Sequence, residues 1–68
     1  MSYSLDDFDE LDRVQISPAC DAWMQGDRFG EVQRVGRRLV HVRLDRSGRV
    51  LRLAPRFIYE NYRRTIPW

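Results

Sequence analysis

The alternating segment at residues 29–53 constrains the fold of this chain more than any other feature. β-branched residues and leucines alternate there with polar residues, and turns bearing Gly36 and Gly48 interrupt the alternation twice. A period of two is typical of strands that bury one face. At the second turn, Asp45 can cap its own backbone and Gly48 can adopt a positive φ. We therefore expect an antiparallel hairpin over residues 39–53.

The same reasoning, applied along the whole chain, predicts five short strands, at residues 13–16, 29–35, 39–44, 49–53 and 57–62. Val32 and Val35 are three positions apart, so we expect a β-bulge near Gln33. Proline cannot donate to a ladder, and Pro55 therefore indicates a 3-10 turn at residues 54–56. The predicted core comprises Val14, Ile16, Val32, Val40, Val42, Leu44, Leu51, Leu53 and Ile58, with Trp23 and Phe57 closing its ends.

Residues 26–32, Gly-Asp-Arg-Phe-Gly-Glu-Val, are similar to the Gly-x-Val core of the KOW motif. Val40-x-Val42 and the turn at residues 45–48 follow them. On these residues the chain resembles SH3-like barrels of the KOW/Tudor type, from residue 13 to residue 62. It departs from KOW segments just ahead of Gly26, where they usually carry basic residues and this chain has Trp-Met-Gln. The resemblance implies an all-β, five-stranded SH3-like barrel.

Charge is divided unevenly along the chain. Residues 1–12 carry five acidic residues and no basic one, whereas residues 13–68 carry twelve arginines against five acidic residues, a net charge of +7. We expect residues 1–12 to form a flexible acidic arm, mobile or only loosely docked, before a barrel at 13–62 and a C-terminal tail at 63–68. The arm could cover the arginine surface and compete with an anionic partner, or it could be a solubilising tail.

The chain offers few groups for catalysis, metal binding or membrane insertion. Cys20 is the only cysteine and His41 the only histidine, and no apolar run approaches the ~20 residues that span a bilayer. A triad of Cys20, His41 and Asp21 can be drawn, but we favour a buried thiol for Cys20 and a solvent-facing strand position for His41. We expect a cytoplasmic protein with no enzyme activity, no metal, no cofactor and no membrane partner.

Arginine supplies all twelve cationic side chains, and its planar fork binds phosphates bidentately. Alternation places several of these side chains on the outer side of the hairpin, opposite the predicted core. The predicted nucleic-acid-binding residues are Arg37, Arg38, His41, Arg43, Arg46, Arg49 and Arg52. Phe29, Tyr59 and Tyr62 are aromatic residues on which unpaired bases could stack. The predicted partner is therefore RNA or DNA.

Two other interpretations of the same residues stay open. Charged residues on exposed strands prevent aggregation between sheet edges and need bind nothing. Small barrels also present grooves or strand edges to peptides, so a protein or peptide is the alternative partner, with Trp23 and Trp68 as candidate anchors. For Trp23, packing in the core or as a lid over it is the favoured interpretation. The sequence does not define an oligomeric state.

Overall fold

A computed structural model of the chain describes residues 3–63, which form one antiparallel sheet of five strands. The strands are β1 (Arg13–Ile16), β2 (Phe29–Val35), β3 (Val40–Leu44), β4 (Val50–Leu53) and β5 (Ile58–Arg63). A one-turn helix, α1 (Asp21–Met24), follows β1, and 3-10 helices cover Leu5–Asp7 and Pro55–Phe57. The prediction of a small, mostly β fold with five strands is confirmed. The strand order is β4-β3-β2-β1-β5, so the sheet is not closed and β4 and β5 are its edges.

The pairing of β2 with β3 contains the predicted bulge. Val32 lies opposite Val42, but the next pair is Arg34 with His41, so Gln33 is the extra residue. Gly30 lies opposite Leu44 in this pair of strands. A Cβ atom on Gly30 would lie 2.5 Å from the Val42 Cγ1 atom and 2.7 Å from the Arg43 carbonyl oxygen. Glycine is therefore required at this position by the close contact between the strands.

Seven of the predicted core residues are buried, with relative exposures of 4% or less: Val14, Ile16, Val32, Val40, Val42, Leu44 and Ile58. Leu51 and Leu53 are only half-buried, because β4 is an edge strand and has a neighbour on one side only. Trp23 and Phe57, the predicted end plugs, are also half-buried and pack against the core. Cys20 is buried, as expected for a lone thiol.

The arm contributes to this core, although we expected residues 1–12 to be mobile or loosely docked. Phe8 is 4% exposed, and its ring centroid lies 5.4 Å from that of Tyr3. The Leu11 N–H donates to the Val32 carbonyl oxygen, and the Val32 N–H donates to that of Asp12. Apolar residues of the arm thus pack against the core on the inner side of the sheet.

Asn61 joins the arm to β5. Its Nδ2 donates to the Asp7 carbonyl oxygen and to the Asp12 carboxylate, at 2.9 and 3.1 Å, and its N–H donates to the Tyr3 hydroxyl. The Tyr3 hydroxyl in turn donates to Glu60. Within residues 3–63 the arm's hydrogen bonds to the sheet run to β2 and β5, and not to the seven predicted binding residues.

Arg63, the first residue of the predicted C-terminal tail at 63–68, belongs to β5. The rest of that tail, including the candidate anchor Trp68, lies outside the described residues. Across residues 3–63, no helix is long and apolar enough to cross a membrane.

Candidate functional site

Six arginines of the described chain contact other parts of the protein. Arg13 forms a bidentate ion pair with Asp45, which raises the pKa of its guanidinium. Arg28 lies over the Trp23 ring and Arg56 over the Phe57 ring, at 4.5 and 4.9 Å from the ring centroids. The other three are Arg46, Arg49 and Arg63, which donate to carbonyl or side-chain oxygens. These six side chains have structural roles within the fold.

The side chains of the remaining five arginines make no hydrogen bond, ion pair or aromatic stacking contact within residues 3–63. All five are exposed. They lie on β2, β3, β4 and the β2–β3 turn, together with the half-buried His41. We call this group the arginine face: Arg34, Arg37, Arg38, His41, Arg43 and Arg52.

The sheet register explains why these residues share one face. His41 lies between Arg34 of β2 and Arg52 of β4, and directly opposite residues of neighbouring strands point to the same side. Arg43 is two positions along β3, so it also points outward, whereas Val40, Val42 and Leu44 are buried on the other side. Arg37 and Arg38 extend the group into the turn at the end of β2.

The row places two cationic side chains, Arg34 and Arg52, on either side of His41 with no carboxylate between them. Neighbouring strands are about 4.8 Å apart, so the two arginines are separated by about 10 Å and repel each other at low salt. The nearest carboxylate by register belongs to Glu31, which lies opposite both Arg13 and Arg43. Glu31 also accepts a hydrogen bond from Gln33 at 3.2 Å. An anion bound over the row would relieve the repulsion between its cationic groups.

The structure brings five of the seven predicted residues together and places two elsewhere. Arg46 and Arg49 extend from the β3–β4 turn toward the β1–β2 connection, where Arg49 donates to Gln25 at 2.9 Å and lies 3.7 Å from the buried Asp27 carboxylate. Arg34 was missed by the sequence analysis. The bulge predicted near Gln33 could have identified it, because the extra residue turns the Arg34 side chain outward.

The outer surface continues from the arginine face to a pair of aromatic rings. A concavity of about 560 Å³ lined by Arg13, Glu31, Arg43 and Asp45 lies on this surface. Beyond it, Phe29 and Tyr62 are 45% and 52% exposed, with ring centroids 6.5 Å apart. Tyr59 is also exposed but is not part of this pair.

A second, smaller concavity lies beside the β1–β2 connection. It has a volume of about 310 Å³ and is lined by Ala19, Cys20, Asp21, Leu53 and Phe57. Burial raises the pKa of the Cys20 thiol, and the Asp21 carboxylate adds to the rise. The thiol is therefore protonated near neutral pH, donating weakly to the Phe57 carbonyl oxygen at 3.8 Å. His41 lies in the outer row of β3, so the structure gives no support to the Cys20–His41–Asp21 triad.

The fold and this surface together define a small antiparallel β domain that concentrates unpaired arginines on one side of its sheet. Among residues 3–63, no three histidine, cysteine, aspartate or glutamate side chains are grouped so as to hold a metal ion. No protein-family model matches the chain, and no match to a curated protein or to a solved structure was found.

Proposed function

We propose that the protein is a non-catalytic binding module that takes up nucleic acid on its arginine face. The observation that carries the proposal is that the five arginines whose side chains form no hydrogen bond, ion pair or aromatic stacking contact in residues 3–63 all lie on this one surface. Arginines that only protect sheet edges would be expected on the edge strands β4 and β5, but Arg52 alone of these five lies on one of them. Their concentration in one place favours a polyanionic partner.

We propose further that the domain is an SH3-like barrel. The strand order β4-β3-β2-β1-β5, the long β1–β2 connection and the 3-10 helix Pro55–Phe57 ahead of β5 support that assignment. In this arrangement the middle of the sheet, β2 and β3, carries the arginine face. The backbone of β2 and β3 is already fixed by the sheet, so little backbone entropy is lost when the guanidinium groups bind a ligand.

Binding strength would come mainly from phosphate contacts. Each guanidinium that pairs with a phosphate releases condensed counterions, so affinity falls steeply as salt rises. In the free protein an exposed guanidinium group of the arginine face stays hydrated and has no partner within residues 3–63 to give up. Its planar fork can donate two parallel hydrogen bonds to one phosphate. Because such contacts involve the sugar–phosphate backbone and not the bases, the protein should bind many nucleic-acid sequences with similar affinity.

The test is a salt titration of binding to a fluorescently labelled oligonucleotide, followed by anisotropy. Arg43→Gln and Arg52→Gln should each weaken binding and reduce the slope of log Kd against log salt by about 1. Arg28→Gln and Arg56→Gln are matched controls, since each removes the same charge from an arginine that stacks on an aromatic ring. Equal effects of all four variants would mean that only net charge matters and would contradict the proposed surface.

Peptide binding is the alternative function, and the concavity of about 310 Å³ favours it. Leu53 and Phe57 give this site an apolar wall, and Asp21 gives it a charge that could select a basic peptide. If peptides are the partners, Leu53→Ser would abolish binding while Arg43→Gln and Arg52→Gln would leave it unchanged.

A further inference from the structure

The aromatic pair Phe29 and Tyr62 is not explained by the packing of the protein. Both rings belong to strands, yet each is about half exposed, whereas the apolar core lies on the other side of the sheet. Exposed aromatic area of this size is unfavourable in water. Two such rings side by side, with centroids 6.5 Å apart, are suited to contact with flat groups.

Local contacts hold the pair in place. The Tyr62 hydroxyl donates to the Gln15 Oε1 atom at 2.8 Å, and Gln15 lies opposite Phe29 in the β1–β2 ladder. The Phe29 carbonyl oxygen accepts a hydrogen bond from the Asp45 N–H. The Tyr62 ring is therefore held beside Phe29 by its hydroxyl before any ligand arrives, which reduces the entropy lost on binding.

The pair lies on the same side of the sheet as the arginine face. Phe29 and Glu31 both point outward on β2, with the buried Gly30 and Val32 pointing inward, and Glu31 lies opposite Arg43. At about 3.3 Å per residue, Phe29 and Arg34 are roughly 16 Å apart along β2. The concavity lined by Arg13, Glu31, Arg43 and Asp45 lies on the surface between them.

From this arrangement we infer that the ligand is single-stranded nucleic acid, with bases stacked on Phe29 and Tyr62 and the following phosphates on the arginine face. The inference rests on the proposed function and specifies that the nucleic acid it binds is single-stranded. In a duplex the faces of the bases are covered by their neighbours, so flat rings on a sheet surface can stack only on unpaired bases. Stacking tolerates every base, so sequence preference should be small.

The experiment compares the binding of a labelled 12-nucleotide single strand with that of the 12-base-pair duplex that contains it, at the same salt. A uridine 12-mer and a thymidine 12-mer distinguish RNA from DNA. The single strands should bind at least tenfold more tightly than the duplex. Phe29→Leu and Tyr62→Leu should each weaken single-strand binding by roughly tenfold or more. They should leave duplex binding unchanged.

Controls separate stacking from folding and from charge. Tyr59→Leu removes an exposed aromatic outside the pair and should leave affinity unchanged, and Phe29→Trp should keep or tighten it. Thermal melts establish that each variant is folded. Equal affinity for single strand and duplex, with no effect of either leucine variant, would overturn this inference and leave the proposed function standing. Absence of binding to every oligonucleotide at low salt would overturn both.

Discussion

Val42 and Arg43 are neighbours in β3 with opposite surroundings. Val42 is fully buried, with an exposure of 0%, and lies opposite Val32 and Leu51 in the adjoining strands. Arg43 is exposed and lies opposite Glu31. The position of every residue of the arginine face depends on this phase of the strand.

Val42→Asp should unfold the domain, while Arg43→Asp should leave it folded. An unpaired charge in the core destabilises by about 3–5 kcal/mol. In a chain of fewer than about 70–80 residues a single core rarely supplies more than about 3–5 kcal/mol, so this loss removes the whole stability of the domain. Circular dichroism during heating measures the unfolding transition of each variant. A cooperative transition retained by Val42→Asp would show that the strand phase is wrong.

Cys20 makes stability depend on pH at the alkaline end. Because burial raises the thiol's pKa in the folded protein, its contribution to stability is complete below the unfolded pKa. This contribution is lost as the pH rises from the pKa of the thiol in the unfolded chain through its pKa in the folded protein. The difference in unfolding free energy between wild type and Cys20→Ala should therefore fall as pH rises above the ordinary thiol pKa of 9.0. Urea titrations at several pH values measure it, and a constant difference would contradict the buried thiol.

Among the larger elements, the arm and β5 depend on each other. The Tyr3 hydroxyl contacts Glu60 and Asn61, so residues separated by about 57 positions in the chain meet there. Phe8 fills part of the core beneath this contact. Removing residues 1–12 would therefore remove core packing as well as five negative charges.

Phe8→Ala should destabilise the domain by about 3 kcal/mol or more, because it empties a buried site of aromatic size. Leu11→Ala is the control in the same segment, since Leu11 is 47% exposed and surface truncations change stability by about 0.5 kcal/mol. Chemical denaturation measures both changes. Equal, small effects of the two substitutions would indicate that the arm does not pack on the sheet.

Local patterns predicted β2 well, because alternation and the Val32–Val35 spacing are properties of adjacent residues. The observed strand Phe29–Val35 and the bulge at Gln33 both match. The arm and the positions of Arg46 and Arg49 were not predictable in this way. They depend on contacts with Asn61, Gln25 and Asp27, which are distant in sequence. Composition cannot distinguish an acidic tail from an arm that is held by Asn61 and by the burial of Phe8.

On the scale of the whole molecule, the sheet separates two kinds of arginine. Those near the β1–β2 connection, the 3-10 helix Pro55–Phe57 and the arm stabilise the fold through ion pairs, hydrogen bonds and aromatic contacts. Those on β2, β3 and β4 and the turn after β2 are left available to solvent. The net +7 of residues 13–68 therefore understates how strongly one surface is polarised.

Amide chemical-shift mapping with a mixed-sequence single-stranded 12-mer at about 0.15 M salt tests the central claim most directly. We expect the largest shifts at residues 34–43 and at Arg52, with smaller ones at Phe29 and Tyr62. Amides of Arg28 and Arg56, which carry the same charge elsewhere, should not move. An unchanged spectrum, or shifts confined to Cys20, Leu53 and Phe57, would contradict nucleic-acid binding on the arginine face.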